Sequence, residues 1–115
     1  MILMKDGTKI YARLGMTKFR DKLKALLVLI QQEIPQSIFT GDLFMFCGCD
    51  RRMIKILYWD RNGFCLWQKK VERGKFPWPR KGCEFKEITR DQFDLIFRGI
   101  DFWDEHREIE YKKIF

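Results

Sequence analysis

The stretch that most limits what this chain can fold into runs from Lys55 to Lys70, Lys-Ile-Leu-Tyr-Trp-Asp-Arg-Asn-Gly-Phe-Cys-Leu-Trp-Gln-Lys-Lys. Two runs rich in β-branched and aromatic residues flank Asn62-Gly63, and both turn residues tolerate the positive φ that primed hairpin turns need. The expected strands are 53–59 and 64–71. An even-numbered loop puts Ile54, Ile56 and Tyr58 on one face with Cys65, Trp67, Lys69 and Val71. The opposite face then carries Lys55, Leu57 and Trp59 with Phe64, Leu66, Gln68 and Lys70. The first face is the better core candidate. The second suits either of two uses: stacking on bases with lysines at phosphates, or burial with lysine stems reaching out to solvent. Burial ranks first, because small αβ domains cover both faces of their sheets.

Periodicity extends the reading in both directions. Lys9 to Leu14 alternates weakly after the Asp6-Gly7 turn and is expected to be a short strand ended by Gly15. Thr17 is the candidate N-cap of a first helix over about residues 18 to 33, whose apolar face is Phe19, Leu23, Leu26, Leu27, Ile30 and Ile34. Pro35 stops it. Gly41 opens a strand over Asp42 to Cys47, and Gly48 to Arg52 is a polar loop. Gly74-Lys-Phe-Pro-Trp-Pro79 is too proline-rich for a central strand and is expected to lie over the sheet edge. Cys83 to Ile88 is a further short strand. Thr89 with Gln92 forms a capping-box pattern before Phe93, Ile96, Phe97 and Ile100, and Gly99 is the C-cap candidate. The expected fold is α+β, an antiparallel β-meander of three to five strands packed with two helices. It occupies residues 1–115 as a single domain with its core over about 7–101; the tail 102–115 carries no clear pattern.

Charge narrows the partners. The formal net charge is +7 over 115 residues, which favours an anionic partner, and nucleic acid is the commonest. Lys18, Arg20, Lys22 and Lys24 crowd the start of the first helix, where the dipole disfavours cations by about 0.3–1 kcal/mol each. Such a placement against the gradient, beside free N–H groups, suits a phosphate. Arg51, Arg52, Lys55, Lys69, Lys70, Arg73 and Lys75 form a second group in and after the meander, followed by Arg80-Lys81. If both groups converge they make a footprint for a DNA backbone. No helix-turn-helix or zinc-finger pattern offers base-specific reading. Trp59, Phe64, Trp78, Phe102 and Trp103 are the candidate aromatic anchors for a protein partner.

Other chemistries find little support. The beginning of the chain lacks the pattern of a signal peptide, and its longest aliphatic run, Ala25 to Ile30, is far short of a membrane span. A cytoplasmic protein with reduced thiols is expected. Cys47-Gly-Cys49 is not a common zinc spacing, and His106 is the only histidine, so neither metal nor another cofactor is expected. Asp42, Asp50, Asp60 and Asp101 are loop-side carboxylates, with no phosphate loop or nucleophile elbow beside them. The chain reads as a non-enzyme.

The motifs also resemble a known family. Gly7-Thr-Lys-Ile-Tyr11, Gly15-x-Thr17 and Gly41-x-Leu-Phe-x-Phe46 are similar to successive blocks of the TnpB accessory proteins of bacterial insertion sequences of the "sixty-six" type. The longest block is Lys55 to Asp60, Gly63 to Trp67, Lys69-Lys70 and Glu72-x-Gly-x-Phe-x-Trp-Pro79; a shorter one runs from Leu95 to Asp101. Lys18-Phe-Arg-Asp-Lys22 departs from the family's usual Asp-Met-Arg-Lys-Gly run while keeping the helix pattern. The resemblance implies a non-catalytic accessory role in transposition, with a separate transposase encoded by the same element. It supplies no active site. Two functional expectations follow: DNA binding through the basic surface, or an adaptor that holds the transposase without touching DNA. Oligomeric state is not legible.

Overall fold

A computed structural model describes residues 4–18 and 23–103. Its sheet has five strands: β1 (Ile10–Arg13), β2 (Leu43–Cys47), β3 (Met53–Asp60), β4 (Gly63–Lys70) and β5 (Phe85–Ile88), in spatial order β4-β3-β2-β1-β5. Two helices, α1 (Leu23–Glu33) and α2 (Arg90–Phe97), and a single 3-10 turn (Pro35–Ser37) complete the described elements.

The strands β2, β3 and β4 form the expected antiparallel run. The sheet as a whole is not a meander, because β1 pairs with β2 in parallel and with β5 antiparallel. The cause is α1. A helix between two strands returns the chain to the end where it began, so the second strand runs parallel to the first.

Alternation decides what each face buries. Ile10, Ala12, Leu43, Met45, Cys47, Ile54, Ile56 and Ile88 point to one side, where Ile96 of α2, Phe76, Trp78 and Trp103 cover them. Phe44, Phe46 and Leu57 point to the other, under Leu26 and Ile30 of α1 and Ile38. Tyr11 stacks on its register partner Phe44 at 5.6 Å between ring centroids. Central β2 is buried along its whole length because both faces are covered.

The turn of the central hairpin sits one residue earlier than expected. Asp60 pairs with Gly63, and Arg61 takes the positive φ, at 55°. The loop stays even-numbered, so the facing of every strand residue is unchanged: Ile56 opposes Trp67, and Trp59 opposes Phe64.

Residues 71 to 84 must carry the chain from one edge of the sheet to the other, since β4 and β5 are its outermost strands. This strap crosses the sheet instead of lying along one edge. Val71 N–H donates to Arg52 O, Phe76 N–H to Arg51 O, Gly15 N–H to Pro79 O and Leu14 N–H to Glu84 O. Pro77 and Pro79 fit there because a strap outside the ladder needs few main-chain donors. Trp78 Nε1 donates to both Arg13 O and Gly15 O at 3.0 Å, and Trp103 Nε1 donates to Pro77 O at 2.9 Å. Where β1 ends, Gly15 has φ +80°, and a Cβ there would collide with the Gly82 carbonyl oxygen.

Both ends of α2 follow the expected pattern. Thr89 and Gln92 form a reciprocal capping box. At the far end, Ile100 N–H bonds Leu95 O and Gly99 N–H bonds Ile96 O, a Schellman closure around Gly99 at φ +77°. Thr17 forms a parallel bridge with Gly48, its N–H donates to Cys47 O, and its buried hydroxyl has no hydrogen-bond partner among the described residues. The amides it is expected to cap lie outside them. The start expected for the first helix, including Phe19, falls partly on residues 19–22, outside the described residues.

Candidate functional site

The Thr17–Gly48 bridge brings Lys18, the first cation of one basic group, to the end of the sheet that carries the other. It sets exposed Lys18 beside the β2–β3 loop. That loop is a tight turn: Arg51 N–H donates to Gly48 O, Arg51 has φ 59°, and Asp50 Oδ1 accepts from Arg52 N–H. Register then places Lys70 opposite Met53 and Lys69 opposite Ile54. The strap adds Arg73 and Lys75, held by the Val71–Arg52 and Phe76–Arg51 hydrogen bonds. Arg80 and Lys81 follow Pro79, which is tied to Gly15. Arg52, Lys69, Lys70, Arg73, Lys75, Arg80 and Lys81 are all exposed; Arg51 is half-buried. Asp50, Glu72 and Glu84 are the nearby carboxylates in sequence among the described residues. Arg20 and Lys22 lie outside the described residues.

Lys69 and Lys70 leave the strand on opposite faces. Lys69 turns toward α2, with Nζ 5.8 Å from the centre of the Phe97 ring. It lines a cleft of about 370 Å³ with Trp67, Arg90, Phe93 and Phe97. Lys70 shares the other face with Lys55, which is half-buried.

The aromatic candidates divide by burial. Trp78 and Trp103, expected at a partner surface, are 3% and 7% exposed and face each other at 5.8 Å. Their indoles belong to the core, because the strap and the segment after α2 need large plugs over the sheet. Phe102 is half-buried and stacks on Trp103 at 4.5 Å. The rest of the tail, 104–115, lies outside the described residues. Trp59 and Phe64 do form a surface cluster, 4.9 Å apart across the β3–β4 pair. Phe39 completes it, at 5.0 Å from Trp59 and 5.8 Å from Phe64, and is 65% exposed. No periodic pattern in the sequence singles out Phe39; it reaches the cluster through the turn after Pro35–Ser37. Phe39 and Trp59 border a cleft of about 320 Å³ with Gly41, Tyr58, Asp60 and Arg61.

This two-faced domain, with its hairpin and crossing strap, has relatives among known proteins. The model of the family described as "IS66 Orf2 like protein" matches residues 8–107. The chain belongs to that family. It is thereby placed among the accessory proteins of insertion sequences. Two relatives come from Sinorhizobium fredii (strain NBRC 101917 / NGR234). "Uncharacterized protein y4hO" is 27% identical over 97 residues, covering 84% of each chain. "Uncharacterized protein y4jC" is 29% identical over 104 residues, covering 89% of this chain and 87% of its own. No solved structure matches. The family match spans the hairpin, the strap and α2, so it includes both the basic end and the aromatic cluster.

The thiols are chemically uneven. Cys47 is buried, and burial pushes its thiol up to about 12, with Arg51 acting in the opposite direction. Cys49 and Cys83 are exposed. Tyr58 is raised above its ordinary value, first by burial and then by its hydrogen bond with Cys65 across the hairpin. Among the described residues, no three His, Cys, Asp or Glu side chains gather as a metal site, and no helix is long and apolar enough to cross a membrane.

Proposed function

We propose that this accessory protein acts in transposition without catalysing it, by binding DNA through the basic end of its sheet. The observation that supports the reading is the convergence of Lys18 with the β2–β3 loop, the end of β4 and the strap. These cations come from separate parts of the chain and are anchored by main-chain hydrogen bonds, which suits a series of phosphates. The arrangement offers no helix for the major groove, so affinity would come from the backbone more than from base edges. The reading needs no metal or cofactor, and it expects the protein in the cytoplasm beside the element's DNA.

The test is fluorescence anisotropy on a duplex carrying the element's terminal repeat, against a scrambled duplex, across a salt series. The expected result is binding to both whose logarithm falls linearly with the logarithm of salt, by about 0.9 per phosphate contact. Arg51→Glu with Arg52→Glu and Arg73→Glu should abolish it on every sequence. Absence of binding at low salt would overturn the proposal. A second reading, an adaptor for the element's transposase, is favoured by the Phe39–Trp59–Phe64 cluster, in which Phe39 is exposed over two half-buried rings.

A further inference from the structure

The outer edge of β4 is unpaired among the described residues, since β4 ends the strand order. Which of its groups face outward follows from one hydrogen bond. Val71 N–H donates to Arg52 O in register with the β3–β4 ladder. In an antiparallel pair, bonded and non-bonded positions alternate. Lys69, Trp67, Cys65 and Gly63 therefore bond inward to β3. Lys70, Gln68, Leu66 and Phe64 turn their N–H and C=O groups outward.

The side chains of these same four residues share the face that carries Trp59 and Lys55. That face is only partly roofed: α1 packs over Phe44, Phe46 and Leu57, while Leu66 is 38% exposed and Phe39 is 65% exposed. An edge of this length with apolar side chains beside it is usually guarded, because it invites a further strand. Among the described residues, the strand positions of this face bring cations, with Lys70 at the open edge, and no carboxylate; Asp60 lies on the opposite face by alternation.

From the open edge, the aromatic cluster and the charge, we infer that β4 accepts an extended acidic segment of another protein by strand addition. The main-chain groups of 64, 66 and 68 supply the ladder. Phe39, Trp59, Phe64 and Leu66 hold alternate apolar side chains of the incoming strand. Lys70 meets its carboxylates. Two competitors fit less well. A second copy of this chain brings another +7 of charge against the same cations. A single-stranded nucleic acid could stack on the rings, but it lacks the alternating amide donors and acceptors that the edge requires. The inference shares only Lys70 with the DNA reading, since Arg51, Arg52 and Arg73 take no part in it.

The experiment is amide-resolved NMR and hydrogen exchange on the full chain, titrated with a short capped peptide that carries glutamate, valine, valine and glutamate at alternate positions, so that all four share one face, with threonine between them. Parallel titrations use the same peptide with lysine for glutamate, the same peptide with a central proline, and oligothymidylate. The expected result is protection of the Leu66 and Gln68 amides by the glutamate peptide, while Cys65 and Trp67, already bonded to β3, change little. Leu66→Pro removes an outward donor without touching the inner ladder, and should weaken the peptide by about tenfold or more. Should that variant fail to fold, Gln68→Glu supplies the same test through charge and should also weaken it. Unchanged edge amides at about 1 mM peptide, equal binding of the lysine or proline peptide, or protection by oligothymidylate in place of the glutamate peptide would overturn the inference.

Discussion

Cys47 sits in the fully buried middle strand, and its surroundings hold the proton on sulfur. The unfolded chain releases that proton near the ordinary value of 9, the folded one near 12. Between those values the native state binds more protons, so stability falls as pH rises, by up to about 1.4 kcal/mol per pH unit. Below pH 9 the contribution is fully present. Denaturant titrations over this range should show a shallower alkaline loss for Cys47→Ala than for the parent chain. Gly15 is a second residue with a single physical role. Its φ of +80° and the Gly82 carbonyl leave no room for a methyl group. Gly15→Ala should cost about 2 kcal/mol or more. Gly7→Ala is the control, since Gly7 has φ +83° with nothing near its missing Cβ and pays only the backbone cost.

Elements differ in how far they are written locally. The capping box and Schellman closure of α2 each lie within a few residues, and both are legible in the sequence alone. Thr89→Ala should lower unfolding stability by about 1 kcal/mol, measured by urea denaturation, because it leaves Gln92 N–H without its acceptor. The faces of β3 and β4 are legible too, and they survive the shift of the turn from Asn62-Gly63 to Arg61-Asn62 because facing depends only on whether the loop is even. The parallel partner of β1 is harder to see. Hairpin turns announce antiparallel neighbours, whereas a strand-helix-strand passage must be recognised as a crossover. Prolines mark residues 74 to 79 as outside a ladder, but their route depends on β4 and β5 occupying opposite edges, a property of the complete sheet. The same limit applies to the candidate site. Lys18 and Arg51 are recognisable as cations in the sequence, and it takes the long-range Thr17–Gly48 bridge to set Lys18 beside the loop that holds Arg51. Trp78 looks like a surface anchor until the strap carries it into the core.

At the scale of the molecule, the basic end and the β4 edge are separate surfaces that adjoin at Lys70. Arg51→Glu with Arg52→Glu should remove DNA affinity and leave edge-amide protection by the glutamate peptide nearly intact. Leu66→Pro should do the reverse, and the DNA interaction alone should decline steeply with salt. Competition assays with both ligands present check this separation. The sheet's strap also imposes a timetable. As the chain leaves the ribosome, α1 can close over Phe44, Phe46 and Leu57 soon after β3 appears. Met45, Ile54 and Ile56, on the other side, have only Met4, Leu14 and Met16 as early neighbours from outside the strands among the described residues, and wait for Phe76, Trp78, Ile96 and Trp103 to be synthesised. For that interval the nascent protein is a half-upholstered sheet, and its exposure to aggregation comes before these late plugs arrive.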